Sequence, residues 1–215
     1  MKKFIKDIYN LEKNDRTMFL LIITTIGNIV FAVVKFILSL TIPSMWFFVN
    51  AWFLAVLSIS RFFSIKNYGR RRELTSEEEK KELGYKNYLH NGILLILLGI
   101  MYFFVSVYLY YKNPSNMMHE YLTYLVALNA FWSIGWSIHG MVKYKGNVSP
   151  ILKGVKLTNF ANALTSIVLT QVVLLSTFGD GVDVRMFNGL MGMCASLIII
   201  VLGLWMVIDV RKYLK

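Results

Sequence analysis

Six long apolar stretches, beginning near Met18, Met45, Gly92, Tyr121, Leu157 and Met186, constrain this chain more than any other feature. A bilayer's hydrocarbon core is about 30 Å thick and is crossed by roughly 20 residues of α-helix. Lipid offers no hydrogen bonds, so a chain segment inside it satisfies its own backbone by winding into a helix. The expected spans are 18–40, 45–64, 92–111, 121–142, 157–178 and 186–208, and the expected fold class is an all-α integral membrane protein with six transmembrane helices. The chain has 215 residues, 56% of them hydrophobic, which leaves little material for a soluble domain once the spans are set aside.

The lysines and arginines then orient the bundle. Lys2, Lys3, Lys6, Lys13 and Arg16 precede the first stretch, and Arg61, Lys66, Arg70, Arg71, Arg72, Lys80, Lys81 and Lys86 are read as lying between the second and the third. Lys143, Lys145, Lys153 and Lys156 separate the fourth from the fifth, and Arg211, Lys212 and Lys215 follow the sixth. The alternate loops offer only Lys112 and Arg185. Because basic loops stay on the cytoplasmic side, both termini and the loop 65–91 are expected there. The net charge of +11 is read as anchoring to anionic lipid, with no nucleic-acid partner. The expected location is the plasma membrane of a bacterial cell, with the lipid bilayer as the principal partner.

Several local signals refine this picture. Residues 1–17 place Phe4, Ile5, Ile8, Tyr9 and Leu11 at roughly helical spacing, which suits either an amphipathic helix on the inner membrane surface or a frayed tail. Met18 to Leu40 is too long for a signal-peptide core and no small-residue cleavage pattern follows, so it is expected to remain as the first helix. Only Thr41, Ile42, Pro43 and Ser44 join it to the second, with Pro43 suited to a helix start. In the loop 65–91, Thr75 or Ser76 with Glu78 or Glu79 reads as a capping box, and Glu77 with Lys81 as an i,i+4 pair. The expectation there is a solvated helix, interrupted near Gly84, that feeds the third span. No soluble module is expected after the sixth.

Polar residues inside the spans are the candidate functional positions, since lipid excludes them unless they face protein or a wet cavity. The first span carries Asn28 and Lys35, seven residues apart on one face; the second carries Asn50; the fourth carries Asn129, Ser133 and Ser137, with His139 nearby. The fifth carries Thr158, Asn162 and Thr165, flanked by Asn159, Ser166, Thr170 and Gln171. Serines and threonines of this kind commonly bind their own helix or a neighbour. Lys35 is expected to snorkel to the outer interface, and His139 to sit at the inner one. In the sixth span Gly189, Gly192, Ser196 and Gly203 form a small-residue stripe for close helix packing, open either to another span or to a second copy in a homodimer. Cys194, the single cysteine, excludes an intramolecular disulfide. The chain has no Gly-x-Ser-x-Gly, His-Glu-x-x-His, P-loop or Gly-x-Gly-x-x-Gly motif, and no enzymatic activity or cofactor is expected.

Two blocks of residues carry a family resemblance. Gly27-Asn28-Ile29-Val30 through Lys35 to Ser44 and Asn50-Ala51 resembles the first helical hairpin of the cation diffusion facilitators, where an Asn and a Lys precede a Ser and an Asp-Ala pair. Ser149-Pro150-Ile151-Leu152, leading to Ala163-Leu164-Thr165-Ser166, resembles that family's entry into its fifth helix, where Ser-Pro-x-Leu precedes a His-x-x-x-Asp motif. Tyr68-Gly69 with Glu73 is similar to a further family feature. The resemblance implies a cation-efflux transmembrane scaffold.

The metal chemistry departs from that pattern. In the family register, the second-helix ligands fall on Phe53 and Leu57 and the fifth-helix His and Asp on Thr158 and Asn162, none of which is a strong zinc donor. The family's cytoplasmic ferredoxin-like domain is not found in the sequence either. The expectation is therefore a divergent transporter with no metal site, moving an unknown small solute past Asn28, Asn50, Phe53, Leu57, Thr158, Asn159 and Asn162. The alternative is a non-transporting interaction or regulatory protein on the same scaffold, in which those amides only tie helices together.

Overall fold

A computed structural model describes residues 13–41, 45–112, 120–143, 149–179 and 184–213. Pro43, residues 1–12 of the amphipathic segment and the side chains of Ser133, Ser137 and His139 lie outside the described residues. The described chain forms six α-helices: α1 (Lys13–Thr41), α2 (Met45–Glu73), α3 (Glu77–Tyr111), α4 (Glu120–Lys143), α5 (Pro150–Phe178) and α6 (Val184–Arg211). All but α4 are, among the described residues, long and apolar enough to cross a membrane.

The outward faces are as apolar as the inward ones. Ile22, Ile26, Ile29, Val33 and Ile37 of α1 and Leu197, Val201, Leu204 and Ile208 of α6 are exposed along the outside. A continuous apolar surface of this extent is unstable in water and matches hydrocarbon, so the fold is that of an all-α membrane protein. Within the bundle, α1 packs on α2, α4 on α5, and α2, α3, α5 and α6 share the core.

The tightest pairing joins α3 to α6. Gly92 and Gly99 of α3 face Gly203 and Ile200 of α6, and Gly189 and Gly192 sit under Tyr110, Ser106 and Trp46. The small-residue stripe of α6 is thus occupied within the chain, and a second copy would have to dock on another face. Close approach of backbones is what small residues provide where lipid supplies no hydrophobic drive. Beside this seam Tyr102 is fully buried, with Trp46 at 6.1 Å and Phe53 edge-on at 5.9 Å between ring centroids.

The region 65–91 differs from expectation. α2 continues to Glu73 and α3 starts at Glu77, so only residues 74–76 are non-helical and Gly84 does not interrupt α3. The two helices form a hairpin beyond the apolar stretches. Charges favour this: Arg70, Arg71 and Arg72 occupy the last turn of α2, and Glu77, Glu78 and Glu79 the first turn of α3. Each set complements the helix dipole at its end. Gly84 serves close approach, since a Cβ there would lie 3.3 Å from Pro150 Cγ. The expected capping box does not form: Ser76 occupies the N-cap position without a side-chain bond. Glu77 pairs with Lys80 at 2.7 Å, in place of Lys81, and Glu82 with Lys86 at 2.6 Å.

Helix α5 starts at Pro150, ahead of the expected 157, because Ser149 caps it. The Leu152 N–H donates to Ser149 Oγ at 3.5 Å, and Pro150 stands where a missing N–H costs nothing. At this end Lys153 bridges to Asp209 of α6 at 2.6 Å and lies over the rings of Tyr88 and Trp205, 5.2 and 5.8 Å from their centroids.

Candidate intramembrane cavity

A cavity of about 270 Å³ opens where α1, α2, α4 and α5 meet. Its polar wall is built from helical spacing. Asn28 and Lys35 are two turns apart on α1, Leu54 and Arg61 two turns apart on α2, and Asn159, Asn162 and Ser166 follow i, i+3, i+7 on α5. Asn129 and Trp132 of α4 close the fourth side.

Two cations belong to this wall, and both are almost wholly buried: Lys35 is 5% exposed and Arg61 2%. Lys35 therefore does not snorkel to the interface as expected but turns into the bundle. Arg61 accompanies it from the opposite helix. A guanidinium only donates, so the Asn28 amide turns its oxygen toward Arg61, accepting from Nη1 and, at 3.1 Å, from Nη2. Arg61 Nε is buried without a hydrogen-bond partner. None of the described residues lining the cavity is an Asp or a Glu. A buried charge is costly unless paired, and the described wall sets these two cations beside the neutral amides of Asn28, Asn129, Asn159 and Asn162, with no acidic side chain among them.

Of the seven positions singled out in the sequence, Asn28, Asn159 and Asn162 line this cavity. The other four are placed elsewhere. Phe53, edge-on to Tyr102, and Leu57 are fully buried in the core, Asn50 Nδ2 donates to the Trp46 carbonyl at 2.9 Å, and Thr158 Oγ1 donates to the Val155 carbonyl at 2.8 Å. Phe53, Leu57, Thr158 and Asn162, the four positions that the resemblance assigned to metal ligands, thus do not gather around one cavity; only Asn162 of the four lines it. Among the described residues no group of three or more His, Cys, Asp or Glu side chains is arranged to hold a metal ion.

Arg61 was hidden in the sequence by its role in the charge count, where it reads as an inner-side anchor. The signal that marks it is local: Ile59, Phe62, Phe63 and Ile65 surround it with apolar residues. A second buried polar group lies between α2 and α3. Ser60 and Ser64 of α2 donate to Asn91 and Asn87 of α3, the latter at 3.0 Å, and Asn91 Nδ2 donates back to Ser64 Oγ at 3.3 Å. These four side chains satisfy one another and leave little to offer a ligand.

Compared with known proteins, the chain matches no family model, and no curated protein matches it significantly.

Proposed function

We propose that this chain is a membrane transporter, a divergent relative of the cation diffusion facilitators, that carries a small solute through the cavity between α1, α2, α4 and α5. In this reading all six helices cross the plasma membrane, and the termini and the α2–α3 hairpin lie in the cytoplasm, as the lysine and arginine distribution requires. The observation that carries it is the cavity itself: polar and charged side chains from four helices converge on one space inside an otherwise apolar bundle. Its volume of about 270 Å³ falls below the roughly 300–1,000 Å³ of pockets for drug-sized ligands. The solute is therefore small. A divalent cation is the solute least suited to it, because Lys35 and Arg61 repel it and no carboxylate among the described lining residues offsets them.

A transporter must present its cavity to each side of the membrane in turn. Ser166 lines the cavity and is replaced by cysteine with little change in volume. In a Cys194→Ser background, Ser166→Cys should react with a membrane-impermeant maleimide in right-side-out and in inside-out vesicles. Ser58, buried and bonded to the Leu54 carbonyl at 2.8 Å, supplies the control position expected to react in neither. Reaction of Ser166→Cys from one side only, or from neither, would reject alternating access and leave the non-transporting scaffold.

A further inference from the structure

Buried cations are the least expected component of this cavity, and their chemistry names a ligand class. Lys35 and Arg61 project from antiparallel neighbours, α1 and α2, into one space whose described lining holds no acidic side chain. The nearest polar partner of Arg61 is the neutral Asn28 amide, which leaves its positive charge intact, and Arg61 Nε remains unpartnered in the interior. The remaining polar groups around the space, Asn129, Asn159 and Asn162, are amides that carry N–H donors and no charge.

We infer that the cavity is an oxyanion site, in which the guanidinium of Arg61 and the ammonium of Lys35 hold a phosphate, sulfate or carboxylate group while the asparagine amides donate to its remaining oxygens. This deepens the transporter reading and rests on it only for the statement that the anion is carried; the binding site stands on the charge and geometry alone. An oxyanion supplies what the described wall lacks, namely negative charge, and brings several acceptors in one compact group. The planar fork of arginine fits such a group with two parallel bonds, and lysine adds a point charge. Asn28, whose oxygen faces Arg61, orients the guanidinium. The same chemistry is offered by a free anion entering from water and by the phosphate headgroup of a lipid entering from the bilayer. The two sources differ in what they carry behind the oxyanion.

The test uses the full chain, purified in an uncharged detergent and exchanged into anion-poor buffer, with thermal stability and calorimetry as readouts. Inorganic phosphate, sulfate and acetate form one arm, and a short-chain phosphatidic acid the other. Saturable stabilisation in the first arm supports a free oxyanion; stabilisation by phosphatidic acid alone supports a lipid-borne phosphate at the same site. In either case Arg61→Gln and Lys35→Met should each weaken binding by at least about tenfold, since a charge-assisted hydrogen bond is worth at least that factor. Lys153→Gln, outside the cavity, should leave binding unchanged. Lys35 is buried with no acidic side chain among the described lining residues, so Lys35→Met removes a desolvation cost and should also raise the Tm of the anion-free protein. That second readout stands even if Arg61→Gln does not fold. A folded wild type that responds to no probe in either arm overturns the inference, as does a response that both cavity variants retain in full. Failure here with two-sided labelling of Ser166→Cys removes the anion and keeps the transporter; anion binding without such labelling does the reverse.

Discussion

Gly203 of α6 stands directly on Gly92 of α3, and a Cβ added to Gly203 would lie 2.7 Å from the Gly92 carbonyl oxygen and 3.0 Å from the Ile96 nitrogen. Both obstacles are backbone atoms of a long helix, which cannot turn aside as a side chain tip can. Gly203→Ala should therefore force the two helices apart along the seam. Overpacking of this kind costs about 1–3 kcal/mol, and the expected result is a lower Tm in detergent. Gly27, with nothing within 4 Å of its added Cβ, gives the matched control, where Ala should be neutral or stabilising. Equal behaviour of the two variants would show that α3 and α6 are not in this close contact.

The stripe on α6 also bears on assembly. Gly192 faces Ser106 and Trp46, and an added Cβ would lie 2.9 Å from the Trp46 ring. Gly192→Leu is accordingly expected to unfold the single chain whatever its oligomeric state. A folded, monomeric Gly192→Leu protein arising from a dimeric wild type would place the stripe at an interface between copies instead.

The serine–asparagine cluster ties α2 to α3 near the start of the basic hairpin. Asn91 is 1% exposed, accepts from Ser60 and donates to Ser64 at 3.3 Å and Asn87 at 3.4 Å. Asn91→Leu strips partners from three buried groups at once. With each unsatisfied group costing about 1–3 kcal/mol, less what rotated hydroxyls recover from their own helix, a loss of roughly 2–4 kcal/mol is expected in denaturant or thermal unfolding. Ser58→Ala should cost far less, because Ser58 bonds only the Leu54 carbonyl of its own helix at 2.8 Å. Comparable losses at the two positions would show that the cluster contributes nothing beyond ordinary packing.

How much of this was legible in the sequence depends on the solvent that did the selecting. Lipid acts on whole stretches, so the helical class and the positions of the apolar segments could be read from composition. Extensions beyond the lipid answer to local partners instead. Gly84 reads as a break, yet α3 passes through it because Pro150 from a distant part of the chain needs the space. The stripe on α6 was legible as a packing surface, but that its partner is α3 is a tertiary fact. The amides divide for a similar reason. Asn50 and Asn28 are both intramembrane asparagines, but Asn50 folds back on the Trp46 carbonyl while Asn28 meets Arg61, and only the contacts of α2 decide which is which. Lys35 lies near a helix end, which in sequence suggests access to water, but its side chain faces the bundle and is buried there.

Lys153 joins α5 to α6 through two kinds of contact, and they separate by substitution. Its bond to Asp209 is 2.6 Å long with the lysine side chain 47% exposed, so solvent screening limits the ion pair to about 0–1 kcal/mol. The rings of Tyr88 and Trp205 add cation–π attraction of about 0.5–1 kcal/mol. Lys153→Met should consequently cost more than Asp209→Asn, and added salt should shrink the second effect more than the first. Unfolding of both variants at low and high ionic strength measures this. An identical salt response would mean that the ion pair carries the whole interaction.

Helix α3 offers the most direct test of how the bundle sits in the membrane, because its 35 residues are about 52 Å long at helical rise and outrun a hydrocarbon core of roughly 30 Å. Its two ends therefore emerge on opposite sides if it crosses at all. Glu78 lies in the first turn among acidic residues; Lys112 caps the other end, its N–H bonded to the Tyr108 carbonyl at 3.0 Å. Both are exposed, and replacing either with cysteine in a Cys194→Ser background disturbs no packing. Placement of the basic hairpin in the cytoplasm predicts that Lys112→Cys reacts with an impermeant maleimide in intact cells, and that Glu78→Cys reacts only after permeabilisation. The inverse pattern would turn the whole bundle over, and reaction of both in intact cells would mean that α3 does not cross.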